Sequence, residues 1–485
     1  MKFDHPKTES IIERFEEISR IPRCSKNEKE IGAWLMNWAE KNKFKPRMDG
    51  VGNVVIDVPA SPGYENVPGV IIQGHMDMVC EKTKTSTHDF EKDPIKFVYD
   101  GDWLKADETT LGADNGIAIA MAVEAALDEN VKHPHMELLF TVDEETGLTG
   151  ATALEPGFLK GKYLLNVDSE DEGIFTVGCA GGKDTQMWLS YETEKAPDGY
   201  KALKLEAGGM SGGHSGVDIH QQRANAMHVL SRALSELRKE TDIRISSISG
   251  GTAHNAIPRD AETFVFMAAS AVEDAKKKIA ALSETVAAEY KKTDPKLSIT
   301  LSETGDADAA KVMSAESTRK VVDLVMAMPH GVDAYSNDIQ GLVETSNNLA
   351  TISCKEDGVF HVHSSQRSSV MDRMQFLTDR IEAVGRLAGA RVETGGGYPA
   401  WQPDMDSKLL AICKEVYKKR FDKEPVVEII HAGLECGIIG SKYPGMDMIS
   451  FGPTIKNPHS PDECLEIKTI GMVWDFMADL LASLK

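Results

Sequence analysis

Three short runs, GVIIQG (69–74), MELLFTV (136–142) and YLLNV (163–167), are apolar at nearly every position. Each is too short for a helix, and a strand without a polar face must be covered on both sides. Between the first two lies NGIAIAMAVEAAL (115–127), which reads as a helix buried all round. Strands that alternate with helices in this way predict a mostly parallel α/β sheet. Two further helical faces, Ile11/Ile12/Phe15/Ile18 and Ile31/Trp34/Leu35/Trp38, supply cover for it.

With 485 residues, the chain has room for more than this one layer system. The texture changes near Gly181–Asp184. Beyond it the pattern predicts strand 201–207, helix 225–238, strand 243–248, and helices over 271–291 and 317–327. Strands 348–354 and 358–364 flank the turn signal Glu356-Asp357-Gly358, and a helix over 371–388 follows. Past the Gly/Pro-rich GGGYPAWQP (395–403) the α/β texture returns, with helix 407–420, strands 426–430 and 446–451, and a last amphipathic helix. The expectation is an α/β domain, 1–183 and 395–485, interrupted by an inserted α+β domain, 184–394.

Charge narrows the partners. The formal net charge is −22, from 54 Lys+Arg against 76 Asp+Glu. Such a surface repels phosphate backbones, so neither nucleic acid nor an anionic membrane is expected. No apolar run approaches the ~20 residues that span a bilayer. The N-terminal stretch is charged too early for a secretory signal, and a cytoplasmic protein is expected. Seven scattered cysteines without a C-x-x-C indicate neither a disulfide framework nor a zinc ribbon.

The chemistry gathers where the strands end. GHMDMV sets His75 and Asp77 two residues apart at the end of an apolar strand, so that both can address one site. TTLGADNG puts Asp114 at the entrance to the buried helix, and TVDEETG puts Glu144 and Glu145 just after strand 136–142. LLNVDSEDEG places Asp168 after strand 163–167, and GPTIKNPHSPDE places His459 after strand 446–451. One such residue is usually a solvated loop group, and Asp114 alone could cap a helix. Such groups gathered at strand ends, where open α/β sheets bind ligands, indicate a metal site. His75, Asp114, Glu145, Asp168 and His459 can ligate two divalent ions, with Zn²⁺ suited to the mixed donors and Co²⁺ or Mn²⁺ as substitutes. Asp114 would bridge, because a carboxylate offers an oxygen to each ion. Asp77 can then orient His75 through its other ring nitrogen, and Glu144 can take a proton from the attacking water.

In order along the chain, GHMDMV, TTLGADNG, DEETG, NVDSEDEG, GGHSG and HSPDE resemble the co-catalytic di-zinc metallopeptidase family. That family includes aminoacyl-histidine dipeptidases, carnosinases, tripeptidases and acetylornithine deacetylase. GGTAHNAIPR, HAGLECG and MDMISFGPTIKNPHSPDE resemble its aminoacyl-histidine (Xaa-His) dipeptidase branch, over essentially the whole chain. The resemblance implies one metal on His75 and Asp168, another on Glu145 and His459, and Asp114 between them, followed by a cis bond to Asn115. It implies Glu144 as general base, Asp77 as orienting acid, and the inserted domain as a lid that forms a homodimer. His214 of GGHSG would polarise the scissile carbonyl, from its own chain or from a partner, and Asn255 and Arg367 would anchor a small peptide. The implied activity is hydrolysis of dipeptides with a free N-terminus, Xaa-His among them.

Arg367 also offers a fork suited to a carboxylate, His214 lies among glycines that allow close approach, and Glu435 could receive an ammonium group. His361 and His363 of HVH are read as strand residues. G-x-S-x-G at 209–213 lacks the prompt helix of a nucleophile elbow. The alternatives are a di-zinc N-acyl amino acid deacylase and a binding protein without chemistry; the presence of both Glu144 and Asp77 argues against the latter.

Overall fold

The computed structural model describes residues 3–306, 311–337, 339–356 and 358–485. Asp357, at the centre of the expected turn, lies outside them; the flanking strands Val343–Glu356 and Val359–Ser368 pair antiparallel. The chain divides into two units, Met1–Cys179 with Trp401–Ile429 and Leu434–Lys485, and Ala180–Ala400 with Ile430–Gly433.

The first unit is built on an eight-stranded sheet in the order 45–48, 54–58, 136–141, 70–75, 163–166, 447–450, 174–179, 426–430. Its parallel pairings join 136–141, 70–75, 163–166 and 447–450, and these are the short apolar runs of the sequence. The pairings of 54–58 with 136–141 and of 447–450 with 174–179 are antiparallel. Every residue of Val70–His75 and Met136–Thr141 is buried. The helix Ala113–Leu127 is buried nearly all round, as its composition requires. It approaches the sheet through Gly74, where a Cβ would lie 2.2 Å from Asn115 Oδ1 and 2.9 Å from Ala118 Cβ. Gly74 therefore admits the helix that carries Asp114.

The second unit holds a sheet in the order 298–306, 200–208, 261–268, 243–250, 343–356, 359–368, 181–190, 391–398. It reads as two βαββαβ halves. The half from 200 to 306 is inserted after the first strand of the other, and the two meet at the antiparallel pairing of 243–250 with 343–356. The helices Ala226–Glu240, Val272–Glu289, Ala315–Ala327 and Met371–Ala388 all contribute to one hydrophobic core, through Leu230, Ile279, Val322 and Leu377 among others.

The junction expected at 395–403 contains the division between the units, Ala400/Trp401, although its first residues complete the strand Arg391–Tyr398, which pairs with Gly181–Ser190. One expectation is corrected. Cys24 and Cys80 are joined by a disulfide, Cα atoms 5.7 Å apart. Their segments run side by side, with Cys24 bridged to Met78 and the Met78 N–H donating to the Arg23 carbonyl at 3.1 Å. Pairing between segments 56 residues apart leaves no mark in cysteine spacing. Among the described residues, no helix is long and apolar enough to cross a membrane.

Candidate metal centre

The parallel strands of the first unit end together, and the polar residues that follow them share that end. His75 closes its strand at 1 % exposure. Its Nδ1 faces Asp77, 3.1 Å from the carbonyl and 3.3 Å from Oδ1. Its Nε2 lies 3.0 Å from Asp114 Oδ1 and 3.4 Å from Asp168 Oδ1. Asp114 turns its other oxygen to His459 Nε2 at 3.2 Å, and His459 also meets Glu145 Oε2 at 3.0 Å. The peptide bond from Asp114 to Asn115 is cis.

Ligand atoms of His75, Asp114 and Asp168 lie within 4.8 Å of one another, as do those of Asp114, Glu145 and His459. Asp114 belongs to both groups, one oxygen toward each imidazole. A third group, His75, Glu144 and Glu145, meets the same distance. Asp77 ties the site to the Glu144-Glu145 turn: Oδ1 accepts from the Glu144 N–H at 3.0 Å, and Oδ2 from the Ser25 hydroxyl at 2.8 Å.

The charges are compressed. Burial pushes the Asp77 carboxyl up, but the His75 imidazole, the Glu144 N–H and Ser25 outweigh it and hold the group at about 2. Burial also opposes ionisation of Asp114, yet His459 and His75 bring it well below the ordinary carboxylate range. Glu144 is pushed well above its ordinary value by burial, against the pull of His75, with Asp168, Glu145 and Glu435 adding to the rise. Burial raises Asp168 too. Hydrogen bonds to Asp114 and Glu145 carry His459 up to about 11. Glu145 Oε1 is buried with no hydrogen-bond partner. Acidic groups this close repel unless a cation lies among them. The orphan oxygen and the mixed imidazole–carboxylate donors fit divalent metal.

Glu435, fully buried, accepts from Gln73 Nε2 and the Thr141 hydroxyl through Oε2, both at 2.6 Å, and Oε1 has no hydrogen-bond partner. The other predicted substrate residues belong to the second unit. His214 Nδ1 accepts from the N–H groups of Gly216 (3.3 Å) and Val217 (3.1 Å), so the ring proton sits on Nε2, a donor. The strand bearing His214 pairs with Ala256–Ile257, and the Asn255 carbonyl accepts from the Ser215 N–H at 2.8 Å. Arg367 is 7 % exposed; it donates to the Tyr398 hydroxyl, while its Nε has no hydrogen-bond partner. His361 and His363 lie on Val359–Ser368, where His361 contacts Gln186 and His363 contacts Asp184. The Ser211 hydroxyl donates to the Thr293 carbonyl at 2.6 Å and faces no base.

Sequence reasoning missed Ser25 on Asp77, and also Arg23 and Glu463, which are buried around the turn that carries Asp114. The acidic pair after His459 in HSPDE was the available signal for Glu463.

Comparison with known proteins finds relatives over nearly the whole chain. Residues 205–294 match the peptidase dimerisation domain of the M20 family. The chain is 39 % identical over 467 residues to the cytosol non-specific dipeptidase of Escherichia coli K12, covering 96 % of each. It is similar to the crystal structure of aminoacylhistidine dipeptidase from Vibrio alginolyticus, with TM-score 0.87, 39 % identity, and 99 % of this chain and 96 % of that one covered. An aminopeptidase PepT from Bacillus cereus shares the fold at 14 % identity, with TM-score 0.56 and 98 % of each chain covered.

Proposed function

The chain belongs to the M20 family of peptidases, and on that premise we propose a metal-dependent dipeptidase that cleaves unblocked dipeptides, Xaa-His among them. One observation carries the metal reading: two ligand groups share Asp114, and a half-buried glutamate, Glu144, stands beside them. Two divalent ions, Zn²⁺ by the donor set, would supply Lewis acidity and lower the pKa of water at the site.

The chain's own residues do the rest. Asp77 fixes the His75 ring through Nδ1 and so presents Nε2. Glu144, held above its ordinary pKa, takes a proton from the attacking water and returns it to the leaving amine. His214 donates from Nε2 to the carbonyl oxygen as charge develops there. Arg367, buried with an open Nε–H, receives the carboxylate of the dipeptide, with Asn255 as a second anchor; Glu435 Oε1 is the atom left for the ammonium group. A homodimer through the second unit, and a cytoplasmic setting like that named for the E. coli relative, complete the proposal.

A substrate panel with Zn²⁺, Co²⁺ or Mn²⁺ tests it, using β-Ala-His, other unblocked dipeptides and their N-acylated forms. Hydrolysis of the unblocked peptides is expected. Preference for the acylated ones would mark a deacylase instead. His214→Ala is expected to lower kcat about 10²–10³-fold with metal content unchanged, as for loss of one oxyanion donor. Mixing it with Glu144→Gln under subunit exchange separates two routes. Recovered activity means His214 acts in trans; no recovery, with heterodimers formed, means it acts within its own chain or not at all.

A further inference from the structure

Glu463 is 2 % exposed, and the mechanism above does not use it. Its carboxylate accepts from four consecutive backbone N–H groups: Oε2 from Leu111 at 2.8 Å and Gly112 at 2.9 Å, Oε1 from Ala113 at 2.8 Å and Asp114 at 3.2 Å. Arg23, 1 % exposed, takes the carbonyl side of the same turn by donating to Gly112 O. Its other terminal nitrogen donates to the carbonyls of Met76 at 3.1 Å and Asp77 at 3.0 Å. Removing a carboxylate from water is costly unless its oxygens are satisfied, and here backbone N–H groups and a buried countercharge do so.

Glu463 lies four residues after His459, in the loop that joins Ile455–Lys456 to Cys464–Glu466. The His459 side chain is 51 % exposed. Its backbone is left-handed, φ 60°, as is that of Asn457, φ 53°. The hydrogen bonds around it are local: Ser460 hydroxyl to the Asn457 carbonyl at 2.9 Å, and Asp462 N–H to the Ser460 hydroxyl at 3.2 Å. The ends of the loop are tied where Lys456 pairs with Cys464 and meets Asp171, and within it the Glu463 side chain grips the turn that ends in Asp114.

We infer that Glu463 is a positioning residue that registers the His459 loop against the Asp114 turn, so that one carboxylate sets the spacing of two metal ligands. The inference rests on the reading of two metal groups that share Asp114. It specifies which group depends on the clamp: Asp114, Glu145 and His459, rather than His75, Asp114 and Asp168.

Glu463→Gln keeps the shape but not the chemistry. The amide offers one oxygen, and its NH₂ faces two of the four N–H donors, so two hydrogen bonds are lost and donors oppose donors. The test is titration of the chelator-stripped full chain with Co²⁺, followed by calorimetry and visible absorption. The wild type is expected to take two ions. The variant is expected to take one with wild-type affinity and the second about 10–100-fold more weakly, the scale of loss of a ligand-orienting group. Glu463→Asp, too short to span four N–H groups, should show the same asymmetry and serves if the glutamine variant does not fold.

Glu137→Gln is the control for a merely structural role. Glu137 is also fully buried and accepts from the N–H groups of Lys160 at 2.8 Å and Gly161 at 2.7 Å, but no predicted ligand is among its partners. It should lower the melting temperature and leave both Co²⁺ affinities alone. A wild type that binds fewer than two ions overturns the metal reading and this inference with it. A wild type that binds two, with Glu463 variants that bind both normally or weaken both equally, overturns the inference alone.

Discussion

Stripping divalent metal from the protein is expected to abolish dipeptide hydrolysis, and adding metal back to restore it. Without a cation the site is a knot of ion pairs. His459 is held up to about 11 by Asp114 and Glu145. His75 stands well above its ordinary value: burial opposes the charge, but Asp168, Asp114 and Asp77 outweigh it. Both shifts favour the imidazolium form in the metal-free protein. A histidine ligates only when neutral, so metal uptake must expel those protons. The sign follows: affinity rises with pH across the neutral range and falls in acid, where carboxylates also protonate. Calorimetric titration at pH 7 in buffers of different ionisation enthalpy measures the effect directly. Proton release on metal uptake is expected; uptake with no buffer dependence would contradict the assignment of both histidines, and full turnover in the rigorous absence of metal would sink the metal reading.

The parts of the molecule legible in the sequence are those whose signal is local. Val70–His75 and Met136–Thr141 are buried on both faces, so every residue is apolar or tightly partnered and the run is visible by itself. The groups after such strands converge because parallel strands end together, which is why His75, Asp114, Glu145, Asp168 and His459 could be nominated without contacts. Arg391–Tyr398 was illegible for the opposite reason. It is an edge strand, with three glycines that read as a linker, and what makes it a strand is its partner 181–190. Gly397 is needed there, since a Cβ would lie 2.3 Å from the Gly182 carbonyl oxygen.

Glu463 was hidden in the same way. Its partners are backbone N–H groups some 350 residues away, and a backbone partner leaves no residue type to recognise. The Arg23 side chain donates to backbone carbonyls and is equally silent. The groups nominated as ligands can thus be read from strand ends, while the residues that hold them must be found in three dimensions.

Glu144→Gln should lower kcat about 10²–10⁴-fold, or about 2.7–5.4 kcal/mol of barrier, with fold and metal content preserved. The amide is isosteric with the carboxyl but cannot accept the proton of the attacking water. The prediction is sharp because Glu144 has a rival role. Its carboxylate lies within 4.8 Å of ligand atoms of His75 and Glu145, so distance alone would also permit it to bind metal. The neighbouring residue separates the two possibilities. Glu145 already pairs with His459 at 3.0 Å and leaves Oε1 buried without a hydrogen-bond partner, which fits a metal ligand. Glu145→Gln should therefore lower metal occupancy, and excess metal should recover part of its activity. Glu144→Gln should keep its metal, and excess metal should recover nothing. Metal analysis beside kcat for the two variants decides the matter. If Glu144→Gln loses metal while Glu145→Gln keeps it, the base is Glu145 and the ligand Glu144.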